Sequence, residues 1–563
     1  MDGHNGLWQH LQAMVTRSIL LLLVTAVGYY LAKGFTIRRR FQRMQRQGVP
    51  MMQHSVIWGH LEVIGKLMAT LPSDAHGDYM QILIQKNWRE LFPGRESCPP
   101  VFIVDTWPFT TPIIITIHPD VTSQYTQEVS RVKPREQKRF WYPLTQNLDL
   151  ASMEGETWKE WRKKLSPGFS ANSIASHIPG LVDEIEVFAD TLREKAGRDG
   201  AWGKVFPLEP IAKDVTFDVI GRFILGTRLH AQTNPHLLLK TALVDIIPRM
   251  VFYLNPLNFF SYFNPYNQFR LWLDNRRMNA FLLPHVLSHI ASKPGSTSTD
   301  KNRILPLALG KHQVNPDPNL IANVLGQLKI ILFAGHDTTA STICWIFHVL
   351  SRNSKALSRL RYELDQVLGP DPSAKAVVVT LKAQPHLANQ LIYTAAVIKE
   401  TLRLHTNVGT MRSGGPGFTL YGPASTPEYA GMEFPTEGCV LWDGSWAQHK
   451  SPELWHRVEE FLPERWLVTD PEDPLYPPKN GFRAFELGPR DCIGQGLGVV
   501  EMKLVLAVVI REFEIEEDYG EVKGKEERVF GERAYQVGGD GTPGVKGGLP
   551  VRVKVRNVTG ACL

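Results

Sequence analysis

The chain has 563 residues, of which 43% are hydrophobic and 21% charged, and its net charge is +6. These values are typical of a large globular protein. The mild charge favours an acidic partner surface or a membrane over a nucleic acid, which would need a dense basic patch. The five cysteines are Cys98, Cys344, Cys439, Cys492 and Cys562. They are few, scattered along the chain and odd in number, which argues against a secreted disulfide scaffold and for a reducing compartment.

An apolar segment near the N-terminus predicts a membrane anchor. Residues 18–32 are apolar and uncharged, short of the roughly 20 residues that span a bilayer, but Phe35 and Ile37 extend the run at the interface. Five arginines at positions 38–46 outweigh Arg17 on the other flank, so the positive-inside rule leaves the C-terminal part in the cytosol. A cleaved secretory signal is the alternative, disfavoured because its positive charge should precede the apolar run.

The chain is expected to have two parts. Residues 1–50 are interpreted as the anchor and a basic linker, and residues 51–563 as one domain, because no further linker follows. Within that domain the apolar patterns predict mostly helix and a few short strands, a mainly α fold with small β-sheets (α+β). Helices are predicted over residues 320–351, 354–369, 385–405 and 497–514, and strands over residues 112–118 and 550–556.

The first candidate site residues are Trp158 and Arg162. They are one helical turn apart, so an indole N–H and a guanidinium can face the same anion, although such a pair is common by chance. The helix at 320–351 is apolar on nearly every side and belongs in a core, yet it contains Asp337 and Thr338. A threonine that bonds back to the carbonyl four residues earlier loosens a helix and admits water. A bend with satisfied polar groups is the alternative.

Glu400 and Arg403 lie three residues apart in an otherwise apolar helix and can pair on one face. Such pairs are usually solvated surface bridges. A buried pair would need further hydrogen bonds.

A glycine-rich stretch surrounds Cys492. Gly488 and Gly494 let the backbone turn tightly or approach a flat ligand, while backbone N–H groups and the helix that follows favour a thiolate. We therefore predict that the sulfur of Cys492 binds one metal ion from one side. Phe485 can cover the sulfur, and Arg490 can bind an anionic group beside that metal. A buried structural cysteine is the alternative, whereas zinc and iron–sulfur sites are excluded because one cysteine without neighbouring ligands cannot fill them.

The pattern Phe485-x-x-Gly488-x-Arg490-x-Cys492-x-Gly494 resembles the haem-binding signature of the cytochrome P450 superfamily. The other groups follow the family's order and approximate spacing between about Trp158 and Glu501. The resemblance implies the cytochrome P450 fold, with haem b between a long central helix and the cysteine loop. It implies the following roles: Cys492 as axial ligand of the haem iron; Trp158, Arg162, Arg412 and Arg490 as propionate contacts; Asp337 as proton relay and Thr338 as stabiliser of the activated oxygen; and Glu400, Arg403 and Arg465 as a structural triad.

Two positions depart from the family pattern. Gly498 stands where the family often has alanine, which should matter little. Thr406 and Asn407 stand where it often has one or two prolines, so the path and polarity of this pocket-lining segment differ.

The resemblance implies a monooxygenase in the endoplasmic reticulum membrane, single-pass and with a cytosolic catalytic domain. It would insert one atom of O2 into a lipophilic small molecule by hydroxylation or epoxidation. Electrons would come from NADPH through an external NADPH–cytochrome P450 reductase, because no flavin or nicotinamide motif is present. The chain resembles fungal enzymes of secondary metabolism, which act on polyketides, terpenoids or alkaloids. A haem-thiolate isomerase or dehydratase and a non-catalytic haem sensor are the alternatives.

Two surfaces are also expected from the resemblance. Residues 246–266, rich in Phe, Tyr and Leu, either dip into the membrane surface and admit lipophilic molecules or belong to the core.

Other pocket segments are expected at residues 138–153, 333–338, 406–412 and 534–544. The basic residues expected to face an acidic reductase are Arg162, Lys163, Lys164, Arg483 and Lys503.

Overall fold

Helices make up most of the molecule. The computed structural model describes residues 2–253, 259–291, 303–310, 317–520, 526–538 and 542–556. Within these ranges the helices are α1 Asp2–Arg46, α2 Leu61–Met68, α3 Tyr79–Lys86, α4 Trp88–Leu91, α5 Pro119–Ser123, α6 Arg135–Thr145, α7 Gly155–Leu165, α8 Ala171–Lys195, α9 Leu208–Leu225, α10 Leu238–Met250, α11 Phe259–Phe263, α12 Pro265–Ala291, α13 Ile304–Leu309, α14 Pro318–Arg352, α15 Ser354–Leu368, α16 Ala374–Ala383, α17 Ile392–Leu404, α18 Ser445–Gln448 and α19 Gln495–Val509.

Four small sheets complete the fold, so the predicted α+β class is confirmed. The largest has the order β1-β2-β7-β4, in which β2 and β7 are parallel and the other pairs antiparallel. A three-stranded sheet has the order β3-β11-β8, and β5–β6 and β9–β10 form two-stranded ribbons. The strands are β1 Val101–Val104, β2 Ile113–Thr116, β3 Phe206–Pro207, β4 Met411–Ser413, β5 Thr419–Tyr421, β6 Glu433–Pro435, β7 Val440–Asp443, β8 Phe513–Glu517, β9 Gln536–Val537, β10 Gly544–Val545 and β11 Pro550–Val555.

Helix α14 runs through the core, as its all-round apolar sequence predicts. The carboxylate of Asp317 accepts the N–H of Asn319 at 3.0 Å and caps the first turn. Nearly every residue from Val324 to Leu350 is buried. Ala334 keeps accessible surface in the middle of this buried run, which means that an internal space opens beside the helix at that point.

Two helix predictions were wrong in their limits. The segment predicted as one helix over 385–405 begins with a 3₁₀ helix, Pro385–Gln390. Only its second part, α17, is an α-helix. The break is at Leu391, whose φ of −78° and ψ of 75° are not helical. The predicted helix at 497–514 ends at Val509, because residues from Phe513 onward pair with β11. The sheet therefore takes residues that the apolar pattern had extended into the helix.

The N-terminal helix is continuous from its apolar segment into the body of the protein. Its apolar window between His10 and Arg46 has a mean hydropathy of 1.7 and none of it is buried, whereas the comparable window of α14 is 83% buried. Near its end, Phe41 and Met44 pack in the core cluster that covers the β1–β2 sheet. Arg38 forms a buried ion pair with Asp105. The basic stretch expected to serve as a linker thus packs against the main body.

Candidate active site

A tight loop presents Cys492 at the start of α19. The amide of Cys492 donates to the carbonyl of Phe485 at 2.9 Å, which closes the loop. Gly488 has a φ of +95°, and a Cβ there would lie 2.4 Å from the carbonyl oxygen of Thr126, so only glycine fits. Burial raises the pKa of the Cys492 thiol, while the N–H groups of Gly494 and Gln495 act in the opposite direction. The loop thus encloses one sulfur and aims amide dipoles at it.

The sulfur opens into an internal cavity of about 270 Å³ between the cysteine loop and α14. Ala334 and Thr338 line it on the α14 side, and Cys492 on the other. The accessible surface of Cys492 and of Ala334 is therefore cavity surface, not outer surface. Of the remaining predicted site residues, the cavity is lined by Trp158, Arg162, Phe485, Arg490 and Gly494.

The predicted anion-binding residues surround this cavity, but each arginine has a carboxylate neighbour. Arg162 lies 2.5 Å from Asp491 and Arg490 pairs with Glu154. The guanidinium of Arg490 also stacks on the Trp158 ring, at 4.3 Å from its centroid. Trp158 and Arg490 thus share one wall of the cavity.

Arg412 lies behind the cavity wall. Its guanidinium is fully buried, 3.7 Å from Glu486, and its Nε and Nη2 have no hydrogen-bond partner among the described residues. Its Nη1 binds Thr410 Oγ1, which also accepts from Lys133 Nζ at 3.1 Å. Lys133 lines the cavity and was missed by sequence reasoning, since one lysine in a loop carries no spacing signal.

Asp337 and Thr338 point in different directions. Thr338 Oγ1 donates to the carbonyl of Ala334 at 2.8 Å and lines the cavity. Asp337 is buried away from it: one carboxylate oxygen lies 3.1 Å from Lys213 Nζ and the other accepts the N–H of Thr542 at 2.8 Å. Burial raises the pKa of Asp337, but Lys213 and the other neighbouring groups outweigh this, and its pKa is lowered.

Lys213 links this carboxylate to the surface. Its ammonium also contacts Glu209 at 2.9 Å, and about a third of its side chain is exposed. The resemblance gave no reason to single out Lys213 or Glu209, because they are remote in sequence from Asp337 and lie on α9. Packing of α9 against α14 brings them together.

Glu400, Arg403 and Arg465 meet in the core of the protein. The Glu400 carboxylate lies 2.8 Å from Arg403 Nη2 and 3.3 Å from Arg465 Nε, and all three side chains are buried. Trp466 Nε1 and the amide of Leu462 donate to the same carboxylate at 3.0 and 3.1 Å. The buried charges therefore have the additional hydrogen bonds that such a group needs.

Two of the basic residues expected on a docking face are not on the surface. Arg483 is 1% exposed and pairs with Asp443 at 3.0 Å. Lys503 is 8% exposed and donates to the carbonyl of Ala388 at 3.1 Å. That expectation was wrong for both, because each is needed to satisfy a buried acceptor. Lys163 is exposed.

The residues present fit a haem. The cavity is lined by a thiol from the cysteine loop, by a largely apolar stretch of α14 that also contributes Thr338 and Thr339, and by the cations of Lys133, Arg162 and Arg490. The unpartnered, fully buried Nε and Nη2 of Arg412 call for an anionic group, which haem propionates would supply. Among the described residues there is no cluster of three or more His, Cys, Asp or Glu that could hold a metal ion by itself.

Comparisons with known proteins agree with this geometry. A family model described as Cytochrome P450 matches residues 99–537. Cytochrome P450 monooxygenase polC of Polytolypa hystricis is 39% identical over 538 residues, 92% of each chain. Cytochrome P450 monooxygenase acrF of Aspergillus aculeatus is 28% identical over 86% of this chain and 98% of its own. Cytochrome P450 monooxygenase ptmG of Penicillium ochrochloron is 24% identical over 98% of this chain and 97% of its own.

Proposed function

This chain belongs to the cytochrome P450 family of oxidoreductases, and from that premise we propose that it inserts one atom of O2 into a lipophilic small molecule. The observation that carries the proposal is that Cys492, from the cysteine loop, and Thr338, from α14, line the same cavity. The proposed reaction is a hydroxylation or epoxidation in the biosynthesis of a fungal secondary metabolite, a polyketide, terpenoid or alkaloid. The names of the fungal relatives, all monooxygenases, support this direction.

The proposed cofactor is haem b. Haem bound through a thiolate supplies O–O bond cleavage and oxygen insertion. In our proposal Cys492 binds the iron, while Trp158, Arg162, Arg490 and Arg412 hold the propionates. The carboxylates now paired with the arginines would then exchange for propionate oxygens. Lys133 is added to this set because it lines the cavity and shares Thr410 with Arg412.

The protein's own residues handle the protons. Thr338 holds a hydroxyl at the cavity wall, and its bond to the Ala334 carbonyl fixes where that proton points. Asp337 points away from the cavity, toward the partly exposed Lys213, which gives this carboxylate a route to solvent. We propose that it takes up protons there and relays them toward Thr338. The apolar face of α14 keeps bulk water out of the cavity.

We further propose that electrons come from NADPH through a membrane-bound NADPH–cytochrome P450 reductase, and that α1 anchors the enzyme in the endoplasmic reticulum membrane. The exposed N-terminal part of α1 supports an anchor. A second membrane contact is proposed at residues 259–272, where large aromatic side chains are exposed, although residues 254–258 of the predicted segment lie outside the described residues. They are Phe260, Tyr262, Phe263, Tyr266, Phe269 and Trp272.

The test begins with a spectral titration of the ferric protein with lipophilic polyketides, terpenoids and alkaloids. The class that shifts the spin state is then incubated with reductase, NADPH and ¹⁸O₂. We expect a product carrying one ¹⁸O atom, formed only with NADPH. A rearranged product without NADPH and without label would instead assign an isomerase or dehydratase. Ligand binding without any turnover would assign a haem sensor. The presence of both Asp337 and Thr338 favours a monooxygenase over these two alternatives, because neither alternative needs a proton relay.

A further inference from the structure

A buried polar contact ties the segment after α17 to α14 at the turn that carries Thr338. Asn407 Nδ2 lies 2.8 Å from Thr342 Oγ1 and 3.2 Å from the backbone oxygen of Thr338. Thr342 Oγ1 itself donates to the same backbone oxygen at 2.8 Å. The three groups therefore form a closed triangle. Asn407 is buried but is not among the residues that line the cavity.

The direction of the Asn407 amide follows from its partners. The backbone oxygen of Thr338 can only accept, so a reversed amide would bring two acceptors together. On the other side, Asn407 Oδ1 lies 3.4 Å from Ser341 Oγ, a hydroxyl whose shorter bond is to the Pro543 carbonyl at 2.8 Å. Both amide protons of Asn407 are thus committed to the turn between Thr338 and Thr342.

The segment that carries Asn407 is itself held from two sides. Thr406 Oγ1 lies 2.7 Å from His449 Nδ1, and the Thr406 carbonyl accepts from Gln536 Nε2 at 2.8 Å. Asn407 is therefore attached to a fixed part of the molecule. It can act as a reference point that holds α14, whereas a side chain on a loose loop would merely follow the helix.

We propose that Asn407 is a positioning residue that fixes the hydroxyl of Thr338 toward the cavity. This rests on the proposed function, since it gives a purpose to the Thr338 hydroxyl. The bond from Thr338 Oγ1 to the Ala334 carbonyl depends on the helical turn staying closed, and threonine back-bonding tends to loosen a helix at such a place. Asn407 holds the carbonyl of Thr338 and opposes that opening. A proline at position 407, as the resemblance led us to expect, would have no donor for this role.

The test compares three variants in the haem-loaded full chain. Asn407→Leu keeps the size and removes both donors, and Thr342→Val removes the hydroxyl at another corner of the triangle. Thr401→Val is the matched control, because it removes a buried threonine hydrogen bond, 2.9 Å to the Val397 carbonyl within α17, and leaves Asn407 and the contacts that hold its segment in place. The readouts are hydrogen exchange of the peptide covering residues 338–342 and the C–O stretching band of the complex with the probe carbon monoxide.

Asn407→Leu and Thr342→Val each remove two hydrogen bonds of the triangle, so we expect each to speed exchange in this peptide by at least about fivefold, the effect of losing a single hydrogen bond. Both variants should shift or broaden the C–O band in the same way as Thr338→Ala, which removes the hydroxyl itself. In a double variant with Thr338→Ala, Asn407→Leu should cause no further change in the band. Thr401→Val should lower stability without either change. Equal effects from Thr401→Val, or additive effects in the double variant, would overturn the proposal. If Asn407→Leu fails to load haem, Thr342→Val decides alone.

Coupled turnover of the unsubstituted enzyme separates this proposal from the proposed function. If that enzyme forms product, the function stands, and the variants judge Asn407 only. If it forms none, exchange and the carbon monoxide band still report whether Asn407 holds the turn.

Discussion

Replacing Glu400 by Gln tests how much the buried charge cluster of Glu400, Arg403 and Arg465 contributes to the stability of the fold. Five N–H groups converge on this buried carboxylate, from Arg403, Arg465, Trp466 and the Leu462 amide. Glutamine keeps one acceptor oxygen and no charge, so two buried guanidinium groups lose their counter-charge. Breaking a buried pair in this way costs about 3–5 kcal/mol. We therefore expect a large loss of stability and of bound haem.

The assay is urea unfolding together with haem content. Arg359→Gln is the matched control, because the Arg359–Glu464 pair is 2.8 Å long but its side chains are 50% and 42% exposed. A pair of that kind contributes about 0–1 kcal/mol. If Glu400→Gln were no more destabilising than Arg359→Gln and retained full haem content, the reasoning about the buried triad would be refuted.

Three further predictions concern protons, haem retention and the membrane. Lys213→Met removes the cation that lowers the pKa of Asp337, so we expect the acidic limb of the pH profile of kcat to move to higher pH and kcat to fall. Arg412→Leu removes a buried cation, so haem should pass to an acceptor protein at least about tenfold faster. Deleting residues 2–28 should weaken sedimentation with phosphatidylcholine vesicles without abolishing it, because exposed aromatics such as Phe260 and Trp272 remain.

Each of these has a control and a contrary outcome. Lys240→Met removes a lysine that pairs with Asp214 instead of Asp337, and an equal pH shift there would count against the Lys213 argument. Arg131→Leu removes an arginine bonded to the Ser413 and Gly414 carbonyls outside the cavity, and it should leave haem transfer unchanged. Complete loss of sedimentation after the deletion would exclude the second membrane contact.

The Lys213–Asp337 pair also predicts how stability depends on pH. The folded state lowers the pKa of Asp337, so the pair stabilises the protein at pH above the ordinary carboxyl value. That contribution is lost as the pH falls through the lowered, folded-state pKa of Asp337. Lys213→Met should therefore flatten the acid side of a plot of melting temperature against pH, and an unchanged slope would contradict the assignment.

Local patterns were enough to find the central helix and the cysteine loop. An all-round apolar run reveals α14 because burial acts on every side of it, and glycine spacing reveals the loop because Gly488 has a backbone conformation that other residues avoid. These signals are contained in short stretches of sequence, and packing does not change them. The limits of α19 were less predictable, since its apolar pattern continues into the strand β8.

Contacts between elements could not be predicted in this way. Lys213 meets Asp337 only because α9 packs on α14, and Lys133 meets Arg412 only through Thr410. Charge alone was also a poor guide to exposure: Arg483 looked like a surface cation but is buried against Asp443. Ion pairs between distant segments depend on helix registers that one sequence does not reveal.

The most direct test of the account is the absorption spectrum of the reduced carbon monoxide complex of the full chain and of Cys492→His. Cys344→Ser, a buried cysteine outside the cavity, is the control. We predict that the unsubstituted protein and the control have the red-shifted Soret band of thiolate ligation, and that Cys492→His has the band of a histidine-ligated haem. A thiolate band that survives in Cys492→His, or that is absent from well-folded, haem-loaded wild-type protein, would contradict the assignment of Cys492 and the mechanism built on it.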